Sequence, residues 1–169
     1  MKFLRKLSRT EAVTAVAAYV GASATEPDSR WYRRQSKPDW QPPAALFPIV
    51  WTALYGTIAA SSAHVIVALD DREADADDLG MREDAIEERK SFKKALGVNL
   101  ALNAGWSVLF WQARSPRAAA YEAAVLALSS ADLARRARRV SVGAGAALVP
   151  YVAWTAFATV LTVDIARRN

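Results

Sequence analysis

Five apolar stretches separated by charged clusters set the pattern of this chain, at residues 12–25, 44–69, 95–113, 118–133 and 140–166. A helix needs about 20 mainly apolar residues to cross a hydrocarbon core of about 30 Å. The second, third and fifth stretches meet that length. The first and fourth are shorter and rich in alanine, and reach it only by borrowing polar residues at their ends. The expected spans are therefore about 10–27, 44–69, 93–113, 117–136 and 140–166. A helix of a soluble bundle shows charge along its outer face at every turn, whereas these stretches are apolar all round. The pattern predicts an all-α membrane protein, a single domain over residues 1–169 folded as a five-transmembrane-helix bundle.

Helical spacing then sorts residues within the spans. At about 100° per residue, with Gly97 at zero, Ala101 and Gly105 fall at about 40° and about 80°. On the opposite face, Asn99 falls at about 200°, Asn103 at about 240°, Trp106 at about 180° and Phe110 at about 220°. Small residues four apart admit a second helix closely. Gly97, Ala101 and Gly105 thus mark a packing face, either within the protomer or between two copies. The amides and aromatics opposite need partners inside the bundle, because lipid offers none. Phe47, Trp51, Tyr55, Ile58 and Ser62 align along the second span, and Trp154, Ala158, Leu161 and Ile165 along the fifth. Pro150 is expected to kink the fifth span or open a gap beside Tyr151. Aromatics with a few amides describe a site for a flat, largely apolar ligand. Spacing alone fits plain helix packing equally well.

Charge placement supports the membrane reading and adds an orientation. All 22 Lys and Arg fall in clusters that flank the stretches, although the net charge is only +5. The side holding the N-terminus and the loops after the second and fourth spans carries fourteen of them, the other side eight. Basic residues favour the cytoplasm, so in a prokaryotic plasma membrane the N-terminus is expected inside and the C-terminus outside. Basic residues placed this way fit lipid headgroups better than nucleic acid. With no cysteine there is neither a disulfide framework nor a thiolate metal site, and no metal site is expected. The lone histidine, His64, reads as a polar or interfacial residue. Segment 70–90, with ten acidic and four basic residues, reads as a solvated loop or as a helical extension with spaced opposite charges. Segment 26–43, with Trp31, Tyr32, Pro38, Trp40, Pro42 and Pro43, is too proline-rich for continuous helix and too apolar for a free linker. It is expected to fold over the mouth of the bundle. Residues 114–117 and 135–141 read as tight turns between antiparallel helices.

Three ordered motifs resemble the tryptophan-rich sensory protein/translocator protein (TspO/MBR) family. WYRRQSKPDWQPPAALFPIVWTALY resembles its first loop and second helix, with Lys37-Pro38, Trp40, Pro42-Pro43, Phe47-Pro48, Trp51 and Leu54-Tyr55 in place. LALNAGWSVLFWQAR resembles the third helix through Asn103, Trp106, Ser107, Phe110 and Arg114. PYVAWTAFATVL resembles the fifth through Pro150-Tyr151, Trp154, Phe157-Ala158 and Leu161. The resemblance implies a five-helix bundle, usually a homodimer, whose cavity beneath the first loop binds porphyrins such as protoporphyrin IX. Carried over by motif, that pocket includes Tyr32, Trp40, Pro42, Trp51, Asn103, Trp106, Trp154 and Ala158. Phe47, Asn99, Phe110 and Tyr151 join it from the spacing. Asn103 is expected to donate to a ligand carbonyl or carboxyl, and Trp51 and Trp154 to stack on the rings. The chain departs from the family at Asn99, where glutamine is usual, and at Thr162, where asparagine is usual. Val163 replaces the tyrosine of a proposed sterol motif.

Three functions stay open on the sequence: a membrane receptor, sensor or carrier for tetrapyrroles, a light-dependent porphyrin-degrading activity, and a ligand-free structural protein. No triad, metal cluster or paired carboxylate supports conventional catalysis. Photochemistry would fall to Trp51 and Trp154. No obligatory cofactor is expected, and porphyrin enters as ligand. Trp31 and Trp111 are expected to be interfacial anchors.

Overall fold

The computed structural model describes the backbone of residues 2–169 and the side chains of Ala12 and of residues 14–169. It is all-helical among the described residues. The elements are α1 (Lys2–Ala24), α2 (Arg30–Arg34), α3 (Leu46–Ala74), α4 (Leu79–Ser107) continued by a π-helical turn (Val108–Gln112), α5 (Pro116–Val140), α6 (Val142–Ala147) and α7 (Val149–Arg168). Five long helical segments, the last broken into α6 and α7, run alternately up and down. α5 packs chiefly on α7 and α4, and α1 on α3.

The helices outrun the apolar stretches. Segment 70–90 takes the extension alternative. α3 continues to Ala74 and α4 begins at Leu79, so only residues 75–78 connect them. Asp78 caps α4 by accepting from the Met81 N–H at 2.8 Å. The two extensions are tied by Arg89, which pairs with Asp70 at 2.5 Å and with Glu73, and by Arg72 with Glu88 at 3.4 Å. Burial opposes the Arg89 charge, but the hydrogen bonds and fields of Asp70 and Glu73 outweigh it and raise its pKa.

The expected turn at 135–141 is corrected. α5 stays helical through Val140, and Ser141 alone joins it to α6. Arginine is a good helix former, so the charged cluster ends the apolar stretch without ending the helix. Ser141 is extended (φ −147°, ψ 120°), and its Oγ accepts from the Ala144 N–H to cap α6. The effect expected of Pro150 appears one step earlier. The helix breaks at Leu148, and Pro150 sits in the first turn of α7, where its missing N–H costs nothing.

Two helical units, Leu46–Ala74 and Val142–Arg168, are long and apolar enough to cross a membrane on length and composition alone. The third stretch, expected to qualify too, is diluted by Asn99, Asn103 and Gln112. The outward faces are nonetheless apolar: Tyr19, Ile49, Tyr121, Leu128 and Val160 are all exposed. Such a surface requires an apolar surrounding. Inside, Ile58, Val65, Leu69, Phe92, Leu133 and Leu148 form the core toward the end bearing the α3–α4 connection. Phe110, Trp111, Ala119, Leu161 and Ile165 form a second cluster at the opposite end. Between them the packing opens.

Candidate functional site

The opening is a cavity of about 700 Å³ enclosed by α1, the 26–43 segment, α3, α4 with its π turn, α5 and α7. The walls follow from the stripes along straight helices. α3 presents Phe47, Trp51 and Tyr55, while Ile58 and Ser62 continue the stripe into the solid core below. α7 presents Trp154, Ala158, Leu161 and Ile165. α4 presents Asn103 and Trp106, and the π turn presents Phe110 and Trp111. Small residues of α1 (Ala18, Gly21, Ala22) close the side toward α4. There a Cβ on Gly21 would lie 3.3 Å from Ser107 Oγ.

The rings meet mostly edge to face. Trp51 and Trp154 lie 6.5 Å apart at 87°, and Phe47 sits 5.8 Å from Trp154 at 66°. Trp106 stacks on Phe110 at 5.3 Å and 13°. These are favourable quadrupolar arrangements, and they hold the rings as walls rather than as filling. The indole N–H groups of Trp106, Trp111 and Trp154 are buried and have no acceptor in the protein among the described residues.

Below the cavity runs a hydrogen-bonded chain through four helices. Tyr55 Oη donates to Asn103 Oδ1 at 2.5 Å, and Asn103 Nδ2 donates to Tyr151 Oη at 3.3 Å. Tyr151 Oη donates to Asn99 Oδ1 at 2.8 Å, and Asn99 Nδ2 reaches Ser130 Oγ at 3.0 Å and Ser129 Oγ at 3.2 Å. Two expectations change here. Asn99 and Tyr151 do not line the cavity; both are fully buried behind its floor as the middle of this chain. Asn103 does line it, but its oxygen is engaged and one Nδ2 hydrogen is committed to Tyr151. One N–H remains for a ligand.

The 26–43 segment covers the mouth. Ser29 caps the short α2 by accepting from the Tyr32 N–H at 3.3 Å, and Tyr32 turns its ring onto Phe110 and Trp111. Gln41 Nε2 donates to Tyr32 Oη at 3.1 Å, and the Lys37 ammonium lies 4.3 Å from the Tyr32 ring centre. The segment is tied to the end of α7: the Ser36 N–H donates to Asn169 Oδ1 (2.9 Å), and Asn169 Nδ2 donates to the Ser36 carbonyl (3.0 Å). Trp40 and Pro42, expected in the pocket, lie outside its wall. Trp40 is 46% exposed and packs on the outer side against Phe157 at 5.9 Å. A proline-rich segment has no periodicity from which a facing direction can be read.

Trp111 is the converse correction. Expected as an interfacial anchor, it is only 7% exposed and lines the cavity. The cause is the π turn, closed by Ala113 N–H donating to the Val108 carbonyl at 2.9 Å. A wider turn advances fewer degrees per residue, so Phe110 and Trp111 both face inward. Trp31 lies against Phe110 at 5.5 Å, at the edge of the same cluster. Sequence reasoning also missed Gln41 and Asn169, whose positions depend on tertiary contacts.

A model of the TspO/MBR family matches residues 10–168. This chain belongs to the TspO/MBR family. It is 30% identical over 152 residues to the tryptophan-rich protein TspO of Chlorobaculum tepidum, covering 89% of this chain and 87% of that one. It is 31% identical over 143 residues to the human translocator protein, covering 83% and 75%. An uncharacterized membrane protein of Bacillus subtilis is 30% identical over 142 residues, covering 84% and 82%. Membership in the TspO/MBR family makes this a helical membrane protein and explains the apolar outward faces. Among the described residues, no group of three or more His, Asp or Glu gathers where it could hold a metal ion.

Proposed function

We propose that this chain is an integral membrane receptor, sensor or carrier that takes a flat tetrapyrrole of the protoporphyrin IX type into the aromatic cavity. The observation that carries the reading is a cavity of about 700 Å³ walled by Trp51, Trp106, Trp111 and Trp154, with only a few polar groups at its floor. That volume lies in the range of small-molecule sites, and apolar walls with sparse polar groups are their usual make-up. The Trp51 and Trp154 faces supply stacking surfaces, and the uncommitted Asn103 N–H supplies a donor. In this reading the five long helical segments each cross the bilayer, with the N-terminus on the cytoplasmic side. The chain pairs as a homodimer through Gly97, Ala101 and Gly105. Support for the pairing is that a Cβ on Gly97 or Gly105 would meet nothing within 4 Å, so that face is not used inside the protomer.

The test is tryptophan quenching on titration with protoporphyrin IX in detergent. Saturable quenching is expected, with Trp51→Ala and Trp154→Ala each weakening binding about tenfold, the loss of about 1.5 kcal/mol of ring contact. Absence of saturable quenching, or equal affinity in both variants and the parent, would overturn it.

A further inference from the structure

At the opposite end of the bundle from the cavity, α4 and the last turn of α5 enclose a second, smaller cleft of about 130 Å³. It is lined by Glu88, Ser91, Phe92, Arg136, Arg139 and Val140. We propose that this cleft holds the phosphate of an anionic phospholipid headgroup.

Depth is the first argument. The apolar stretch of α4 begins at Ala95 and that of α5 ends at Leu133, so the cleft lies just beyond the apolar layer, at headgroup level. Its floor is apolar, with Phe92 1% exposed. Its rim is cationic. From Asp132 to Val140, α5 carries four arginines against one carboxylate. Basic pockets between membrane helices at this level suit anionic headgroups.

The second argument is how the two arginines are held. Arg136 is oriented across the cleft, its Nε on Asp132 Oδ2 at 2.5 Å and its Nη1 on Ser91 Oγ at 2.6 Å. Nη2 makes no bond among the described residues. Arg139, at the rim, has no hydrogen-bond or ion-pair partner among them either. One fixed and one free guanidinium on the same cleft make a fork suited to phosphate oxygens. Glu88, the one carboxylate on the wall, faces Arg72 at 3.4 Å. Arg72 also donates to the Val140 carbonyl at 3.1 Å, which neutralises the exposed end of α5. The apolar floor favours a lipid over free phosphate, which would gain nothing from Phe92.

The test is native mass spectrometry of the delipidated full chain in neutral detergent. It is titrated with phosphatidylglycerol and with phosphatidylcholine of the same acyl chains. Preferential phosphatidylglycerol adducts are expected. Arg139→Gln should weaken them about fivefold, as should Arg136→Gln, while phosphatidylcholine binding stays unchanged. Arg117→Gln, at the other end of the bundle, should leave the preference intact. Arg139→Gln removes an exposed, unpartnered group and preserves the fold even if Arg136→Gln, which breaks two bonds, does not. Unchanged phosphatidylglycerol binding in Arg139→Gln would overturn the proposal. So would an equal loss in Arg117→Gln, or displacement of the lipid by millimolar inorganic phosphate.

Discussion

Replacing Gly145 by alanine should destabilise this protein more than any other single added methyl on its glycines. Gly145 lies on α6 four residues after Ser141, the one residue between α5 and α6. A Cβ there would stand 2.7 Å from Arg138 Cα and 2.8 Å from Arg138 N, and against Arg138 Cβ as well. Favourable contact between heavy atoms begins near about 3.5 Å, so the helices must part by about 0.7 Å or more. The obstacle is backbone and cannot rotate away. A one-residue connection also leaves no slack for the helices to slide. Overpacking of this kind costs about 1–3 kcal/mol, and alanine's better helix propensity returns about 0.8 kcal/mol at most. A net loss of about 1 kcal/mol is expected for Gly145→Ala. Gly97→Ala and Gly105→Ala add a Cβ that meets nothing within 4 Å. They should be neutral or stabilising by up to about 0.8 kcal/mol. The measurement is equilibrium unfolding of the three variants in detergent, under conditions where the protein is monomeric. Gly145→Ala as stable as Gly97→Ala would refute the close approach of α5 and α6.

Two further outcomes follow from buried polar groups. Asn99→Ala loses one accepted and two donated hydrogen bonds. At about 0.6 kcal/mol each in a membrane protein, plus a small cavity, it should cost about 2–3 kcal/mol. In a double-mutant cycle with Tyr151→Phe the coupling should be about 0.6–1.7 kcal/mol, and additivity within about 0.3 kcal/mol would show that the bond contributes nothing. Both carboxyl oxygens of Glu122 are buried without a partner among the described residues. Glu122→Gln, which cannot ionise, should therefore raise unfolding stability by about 1 kcal/mol or more. A loss of stability instead would mean that the carboxyl is satisfied.

The parts of this molecule legible in its sequence are those governed by one straight helix at a time. Phe47, Trp51 and Tyr55 on α3, and Trp154, Ala158, Leu161 and Ile165 on α7, face the cavity at the angles their spacing gives. Trp111 was illegible because five residues of π turn change the angle that the spacing argument assumes. Asn99 and Tyr151 point inward as expected, but depth, unlike direction, depends on which neighbour fills the space. Ser129, Ser130 and Asn103 fill it here. Trp40 and Pro42 sit in a segment whose course is fixed by Asn169 and by the Tyr32–Gln41 contact, from distant parts of the chain. The arginines closing α5 mark the end of apolar burial correctly and the end of the helix incorrectly, since charge limits the one and not the other.

A cavity of this size beside a close-packed core needs a reason not to collapse, because each unfilled volume forfeits dispersion contacts. Three features supply it. The hydrogen-bonded chain from Tyr55 to Ser130 fixes α3, α4, α5 and α7 against one another directly beneath the floor. Closing the cavity by moving any of them would break bonds that lipid cannot replace. At the mouth, the Asn169 contacts with Ser36 and the Tyr32 packing on Phe110 and Trp111 hold the covering segment at a set height. Between these two ties the walls are large rings already in edge-to-face contact, such as Trp51 with Trp154. They cannot turn inward to fill the space without losing those contacts. The polar residues of this bundle therefore act mainly on shape: by holding the helices apart, they let the aromatic ones present faces rather than pack them away.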